Sequence, residues 1–177
     1  MRKTLLFLAF IIVASMSFAQ NASYGVRVGY NISNLDFEPH PTFDNMHRNG
    51  FAIGFFGEYD LSAAIGLAPE IQFSAEGAKD RDLRIDYIQM PILFKYRIGD
   101  RLSVGAGPLV SLKVHEYEDG FKNFGFSGVG GLEFMISDEI FIDARYHYGF
   151  TNVLDDDNPS GYEATNTNIQ LGIGIKI

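Results

Sequence analysis

The chain has 177 residues and a formal charge of −8, is rich in glycine (19) and phenylalanine (16), and contains no cysteine or tryptophan. That length suits one domain. The missing cysteine excludes disulfides, thiolate metal sites and a lipid-modified cysteine anchor, and the negative charge argues against nucleic acid as a partner.

Residues 1–19 read as a cleavable signal peptide. Arg2 and Lys3 precede an unbroken apolar run, Leu5 to Val13, and Ser17-Phe18-Ala19 places small residues at the −3 and −1 cleavage positions. The run is shorter than the ~20 residues a spanning helix needs. The remaining residues, 20–177, are expected to form one β-barrel domain.

From Ser23 onward apolar and polar residues alternate with a period of two, the signature of strands with one greasy face. Strand one, Ser23 to Ser33, presents Tyr24, Val26, Val28, Tyr30 and Ile32. Strand two, Gly50 to Asp60, presents Phe51, Ile53, Phe55 and Tyr59; strand three, Ile65 to Glu76, presents Leu67, Ile71 and Phe73. Strand four, Arg84 to Ile98, sets Ile88, Met90, Ile92, Phe94 and Tyr96 against Gln89, Lys95 and Arg97. Strand five spans Leu102 to Lys113 and strand six Phe124 to Ile136, with Ser127 and Glu133 on the latter's polar face. Strand seven, Ile140 to Thr151, sets Ile142, Ala144, Tyr146 and Tyr148 against Asp143, Arg145 and His147. The last, Asn168 to Ile177, alternates strictly and ends the sequence, so an earlier strand must pair with it. Its Gln170, Gly172, Ile175 and Ile177 resemble the terminal assembly signal of bacterial outer-membrane barrels, with aliphatic residues where aromatics are usual.

The connections alternate between tight (61–64, 99–101, 137–139) and long and polar (34–49, 77–83, 114–123, 152–165), the habit of outer-membrane barrels. A soluble barrel would turn the apolar faces inward and a membrane barrel would turn them to lipid. Aromatics gather toward both ends of these faces: Tyr24, Tyr59, Tyr96 and Phe134 at the turn end, and Tyr30, Phe51, Phe73, Phe126, Tyr148 and Phe150 at the loop end. Aliphatics such as Ile53, Ile92 and Ile142 lie between them, the two-girdle pattern of membrane interfaces. The fold expected is all-β: an eight-stranded antiparallel up-and-down transmembrane β-barrel in the outer membrane of a diderm bacterium.

The stretches Gly25-Val26-Arg27-Val28-Gly29-Tyr30-Asn31-Ile32-Ser33-Asn34-Leu35, Pro69-Glu70-Ile71, Gln89-Met90-Pro91-Ile92-Leu93-Phe94-Lys95-Tyr96 and Arg145-Tyr146-His147-Tyr148-Gly149-Phe150-Thr151-Asn152 resemble PorT-type, "porin family" outer-membrane barrels. That resemblance implies the barrel and no particular chemistry.

Eight strands leave an interior that side chains can fill. The polar faces carry Arg27, Lys95, Arg97, Lys113, Arg145 and Lys176 against Glu58, Asp60, Glu70, Glu76, Glu133 and Asp143, and buried charges must be paired to be tolerated. A lumen charge network of Arg27, Glu58, Glu70, Lys95, Arg97, Glu133, Asp143 and Arg145 is therefore expected. The turn at 137–139 should set Glu133 opposite Asp143, with Arg145 on the diagonal to neutralise them and Lys95 and Arg97 contributing from across the barrel.

Other candidates are weaker. His40, His47, His115 and His147 lack metal-ligand spacing. A lipid-acting barrel enzyme would use lumen-facing His147, with Ser127 and Glu133 on the neighbouring strand. Asp156, Asn158 and Ser160, with Gly161, match the first half of a calcium loop, but Thr167 stands where the bidentate glutamate belongs. The glycines 125, 128, 130 and 131 lack the following helix that a phosphate loop requires. The expected role is a non-enzymatic barrel acting through its long loops, without a cofactor; a narrow porin or transport or secretion accessory is the alternative. The expected partners are outer-membrane lipid and lipopolysaccharide, and the barrel-assembly machinery during insertion, with the surface partner left open.

Overall fold

The computed structural model describes residues 22–114, 120–155 and 161–177. Eight strands follow in order: β1 Ala22–Glu38, β2 Arg48–Asp60, β3 Ile65–Gly77, β4 Arg84–Ile98, β5 Leu102–Lys113, β6 Phe124–Met135, β7 Ile140–Gly149 and β8 Glu163–Lys176. Each pairs antiparallel with its sequence neighbour, and β8 returns to β1 to close the barrel. The closing seam runs from Gly25 opposite Lys176 to Glu38 opposite Glu163. It is finished by a reciprocal pair of backbone hydrogen bonds between Tyr24 and Ile177, each 2.8 Å. The proposed signal peptide lies outside the described residues.

Two of the short turns share one construction. Ser62 Oγ accepts from the Ile65 amide (3.0 Å), and Ser137 Oγ accepts from the Ile140 amide (3.1 Å). Serine closes each turn by bonding nearby backbone groups. At the opposite end of β3, Gly77 adopts φ 89° with its α-carbon against Leu83 and Arg84, where a side chain has no room.

The apolar faces point outward. Tyr24, Ile53, Phe94, Ile142, Ile173 and Phe150 are all exposed, and the polar faces line the interior. Such a surface suits lipid and not water. At its ends aromatic rings meet across strands, Tyr24 on Tyr59 (6.3 Å between centroids) at the turn end and Phe126 on Phe150 (5.9 Å) at the loop end.

Two strands are longer than the alternation predicts. β1 continues from Ser33 to Glu38 and β8 begins at Glu163, so the first five residues of one supposed loop and the last three of the other are paired strand. The hydrophobic phase inverts there. Asn34, Asp36 and Glu38 point outward, while Leu35 and Phe37 point inward and are buried. Past the lipid boundary the surroundings of the outer face change from hydrocarbon to water, so the greasy residues belong inside. β2 also starts earlier than expected, at Arg48, while β6 and β7 stop at Met135 and Gly149, one and two residues short of the expected ends.

Candidate functional site

The lumen is organised in layers. At the turn end Phe56 and Phe141 stack edge to face inside the barrel, 5.6 Å between centroids, and Lys176 Nζ stands 5.6 Å from the Phe141 ring. Gly25 and Gly174 leave the space for these rings; a Cβ at either would collide with one.

Above them lie two ion clusters. In one, Lys95 Nζ bridges Glu58 Oε2 (2.8 Å) and Glu133 Oε2 (2.5 Å), and Lys176 Nζ bridges the same two carboxylates (2.7 and 3.1 Å). Arg97 joins Glu58 (2.9 Å) to Asp60. In the other, Arg27 grips Asp143 through Nε (3.1 Å) and Nη2 (2.6 Å), a bidentate pair, while its Nη1 donates to Gln72 (3.1 Å) and Gln170 and lies 3.5 Å from Glu70. Arg145 completes it, 2.7 Å from Glu70 and 3.4 Å from Asp143. Buried charge is tolerated only when paired and hydrogen-bonded, and bidentate arginine contacts are the strong form of such pairing. A cavity of about 10 Å³ remains beside Gly105 and Gly131, about one water in size.

Glu133 does stand opposite Asp143 in the β6–β7 register. Arg145, however, is not what neutralises Glu133. Lys95 and Lys176 do that, from β4 and β8, and Arg145 turns to Glu70 on β3. Of the two side chains expected to reach across the barrel, Lys95 meets Glu133, whereas Arg97 turns to Glu58 and Asp60; Lys176 is the partner that neighbour-strand reasoning did not reach. Gln72 lay on a polar face but carries no charge, so no sequence signal singled it out; Gln170 stood out only as part of the terminal assembly signal, and its bond to Arg27 had no signal of its own. Gly172 has a structural reason besides its place in the terminal motif: a Cβ there would collide with the Arg27 guanidinium and Asp143.

The β3–β6 wall next contributes a small apolar patch, Ala68, Leu93, Leu109 and Val129. Beyond it Glu76, His147, Asn166 and Asn168 gather from β3, β7 and β8. An apolar cap of Leu35, Phe37, Ala78, Ile85, Tyr87, Phe121, Val153, Leu154 and Ala164 closes the loop end. Phe43 and Tyr162 stack on Phe37, at 5.3 and 6.2 Å.

The structure does not assemble a Ser127–His147–Glu133 triad. Neither ring nitrogen of His147 makes a hydrogen bond, its nearest carboxylate is Glu76 at 3.8 Å, and Glu133 is held by the two lysines. Asp156, Asn158 and Ser160 of the calcium-like loop lie outside the described residues, as does His115. Among the described residues, no three His, Asp or Glu side chains converge as a metal centre.

A closed antiparallel barrel with a lipid-compatible outside and a charged inside is an integral membrane β-barrel. The family model described as "Outer membrane protein beta-barrel domain" matches residues 5–176, and the chain belongs to that family. Comparison with curated proteins gives no match. Among solved structures the barrel is similar to Neisserial surface protein A, at 12% identity and TM-score 0.59, covering 89% of this chain and 100% of that one. It is also similar to Ail, the attachment invasion locus protein of Yersinia pestis, at 17% identity and TM-score 0.54, again covering 89% and 100%. A de novo designed transmembrane β-barrel matches at 10% identity and TM-score 0.50, covering 88% and 95%. At these identities the likeness is one of fold. The chain is an outer-membrane β-barrel.

Proposed function

We propose that this barrel is a non-conducting, non-enzymatic surface protein that works through its loop end, of the broad PorT-like kind its strand motifs resemble. One observation carries the reading. Five cationic and five anionic side chains, Arg27, Lys95, Arg97, Arg145 and Lys176 with Glu58, Asp60, Glu70, Glu133 and Asp143, are joined by ion pairs across the bore. An ion entering would have to break contacts that neutralise one another. The short-turn end faces the periplasm and the loops face outward, as is general for such barrels. Lipopolysaccharide surrounds the outer half, and the barrel-assembly machinery inserts the chain after its signal peptide is removed.

The neighbours whose names speak of surface and attachment support this reading. Ail has been seen in complex with the heparin analogue sucrose octasulfate. A polyanion of that kind does not suit this chain. The connections 39–47, 78–83, 114–123 and 150–162 carry nine acidic residues against three lysines and arginines. Charge complementarity favours a basic partner. The test is single-channel recording in planar bilayers. Wild-type protein should give no stable current steps; large, stable steps would replace this reading with the narrow porin.

A further inference from the structure

The charge of the loop end is unevenly spread. Between Arg27 and Arg48, and again between Arg145 and Lys176, the sequence has seven acidic residues and no lysine or arginine. The β1–β8 register brings these two stretches together, with Phe37 opposite Ala164 and Glu38 opposite Glu163. Cations gather instead on the β2–β4 side, at Arg48, Lys79, Arg81 and Arg84. Glu38 and Glu163 are both exposed, and like charges set directly opposite each other destabilise a strand pair. Among the described residues no cation is paired with Glu38, Asp44 or Glu163.

Inside this acidic rim lies an aromatic platform. Phe37, Phe43 and Tyr162 meet edge to face, with centroids 5.3, 6.2 and 6.4 Å apart, on top of the apolar cap. Phe37 is buried, whereas Phe43 is 44% exposed and Met46, in the same connection, 51% exposed. Aromatic residues and methionine are the side chains that protein interfaces favour. The connection that carries them is pinned. Asn45 Nδ2 donates to the Leu35 carbonyl (2.6 Å), the Lys79 amide donates to the Met46 carbonyl (2.9 Å), and His47 pairs with Ala78. An apolar surface already held in place spares a partner the entropy of ordering it.

We propose that the Phe43 platform and the Glu38–Glu163 rim form a docking surface for a basic segment of a partner protein. Phe37 points inward and Glu38 outward, so a segment lying across the β1–β8 rim meets rings on one side and carboxylates on the other. An apolar side chain of the segment packs on Phe43 and takes its ring out of water. A lysine or arginine beside it meets Glu38 and Glu163 and relieves their repulsion, which no described residue of this chain does. A second copy of this chain suits the surface poorly, because it brings the same negative charge to it.

The test uses full-length protein refolded in a non-ionic detergent and a fluorescent peptide carrying arginines on both sides of one leucine. Wild-type protein should bind it saturably, and exchanging the peptide's leucine for serine or its arginines for glutamate should weaken binding. Phe43→Ser, and the pair Glu38→Gln with Glu163→Gln, should each weaken it by about fivefold or more, once heat-dependent gel mobility shows that they fold. Asp80→Asn with Asp82→Asn removes the same charge from the 78–83 connection and should leave binding within about twofold of wild type. An equal loss in that control marks diffuse attraction to an acidic surface and overturns the proposal. So does an absence of wild-type binding, or binding that either the Phe43 or the Glu38, Glu163 variant leaves unchanged. A wild-type dimer that Phe43→Ser dissolves, or attachment to phosphatidylcholine vesicles that it abolishes, would hand the surface to a second copy or a lipid headgroup instead. The site presupposes a barrel that works through its loop end, and the bilayer recording separates the two. Stable current steps would sink that reading with peptide binding intact, whereas failed binding by a silent barrel sinks this site alone.

Discussion

Replacing Arg27 by methionine should be among the most damaging single changes to this barrel. The side chain is almost wholly buried and donates to Asp143, Gln72 and Gln170 beside its pairing with Glu70. Methionine fills a similar length but leaves Asp143 and Glu70 with Arg145 alone, two buried negative charges against one positive. Removing one partner of a buried pair costs about 3–5 kcal/mol, mostly the penalty of stranding the other charge. Adding Asp143→Asn to Arg27→Met restores the balance, one arginine to one glutamate. The double variant should therefore recover part of the loss, with a coupling of roughly 1–3 kcal/mol. Reversible urea unfolding in lipid vesicles measures all three. If Arg27→Met costs under about 1 kcal/mol, or the two changes simply add, the cluster is not held together by charge and the reasoning fails.

The lipid face gives a second expectation. Arginine at Ile92 or Ile142 should cost roughly 2–4 kcal/mol if these positions lie near the membrane midplane. Arginine at Asp44, in the 39–47 connection, should cost little; equal insertion of all three would reverse the assignment of faces. Gly172→Ala should destabilise the folded barrel by about 1–3 kcal/mol through overpacking against Arg27, and Gly172→Ala on the Arg27→Met background should cost less. Denaturant midpoints in vesicles decide this, and equal costs on both backgrounds would count against it.

The strand count, the outward faces and the short-and-long rhythm of the connections were legible in the sequence because each depends on local alternation. Ile53, Ile92 and Ile142 announce a lipid face within their own strands. The cap was not legible, for the same reason. Leu35, Phe37, Ile85 and Ala164 keep the period of two but change side, and a pattern that changes phase looks like a pattern that stops. The ion pairs fall between these cases. Their membership follows from the polar faces, since a charge pointing into a bore this narrow has nowhere else to go. Their partners do not, because Lys176 to Glu58 and Arg27 to Glu70 join strands that are not adjacent. Only the closed geometry brings those strands within reach.

The cap and the ion clusters are chemically unlike, and that difference predicts how the bore can be opened. The cap is apolar, so truncating it at Leu35 and Phe37 removes packing worth about 2–5 kcal/mol for each alanine. It exposes the polar chamber around Glu76 but leaves the pairs at Asp143, Glu70 and Glu133 untouched. Weakening the Arg27 cluster with the charge-balanced pair Arg27→Met and Asp143→Asn loosens the middle of the bore, while the cap still excludes water above it. Two barriers in series block current as long as either one stands. Neither the Leu35→Ala, Phe37→Ala variant nor the Arg27→Met, Asp143→Asn variant should conduct in a planar bilayer, and the quadruple variant should. Current through the cap variant alone would show that the ion clusters do not plug the barrel. Silence from a quadruple variant that still folds would place the block in a layer these changes leave standing: the Lys95–Glu58–Glu133 cluster, the Phe56–Phe141 pair or the apolar patch of Leu93, Leu109 and Val129.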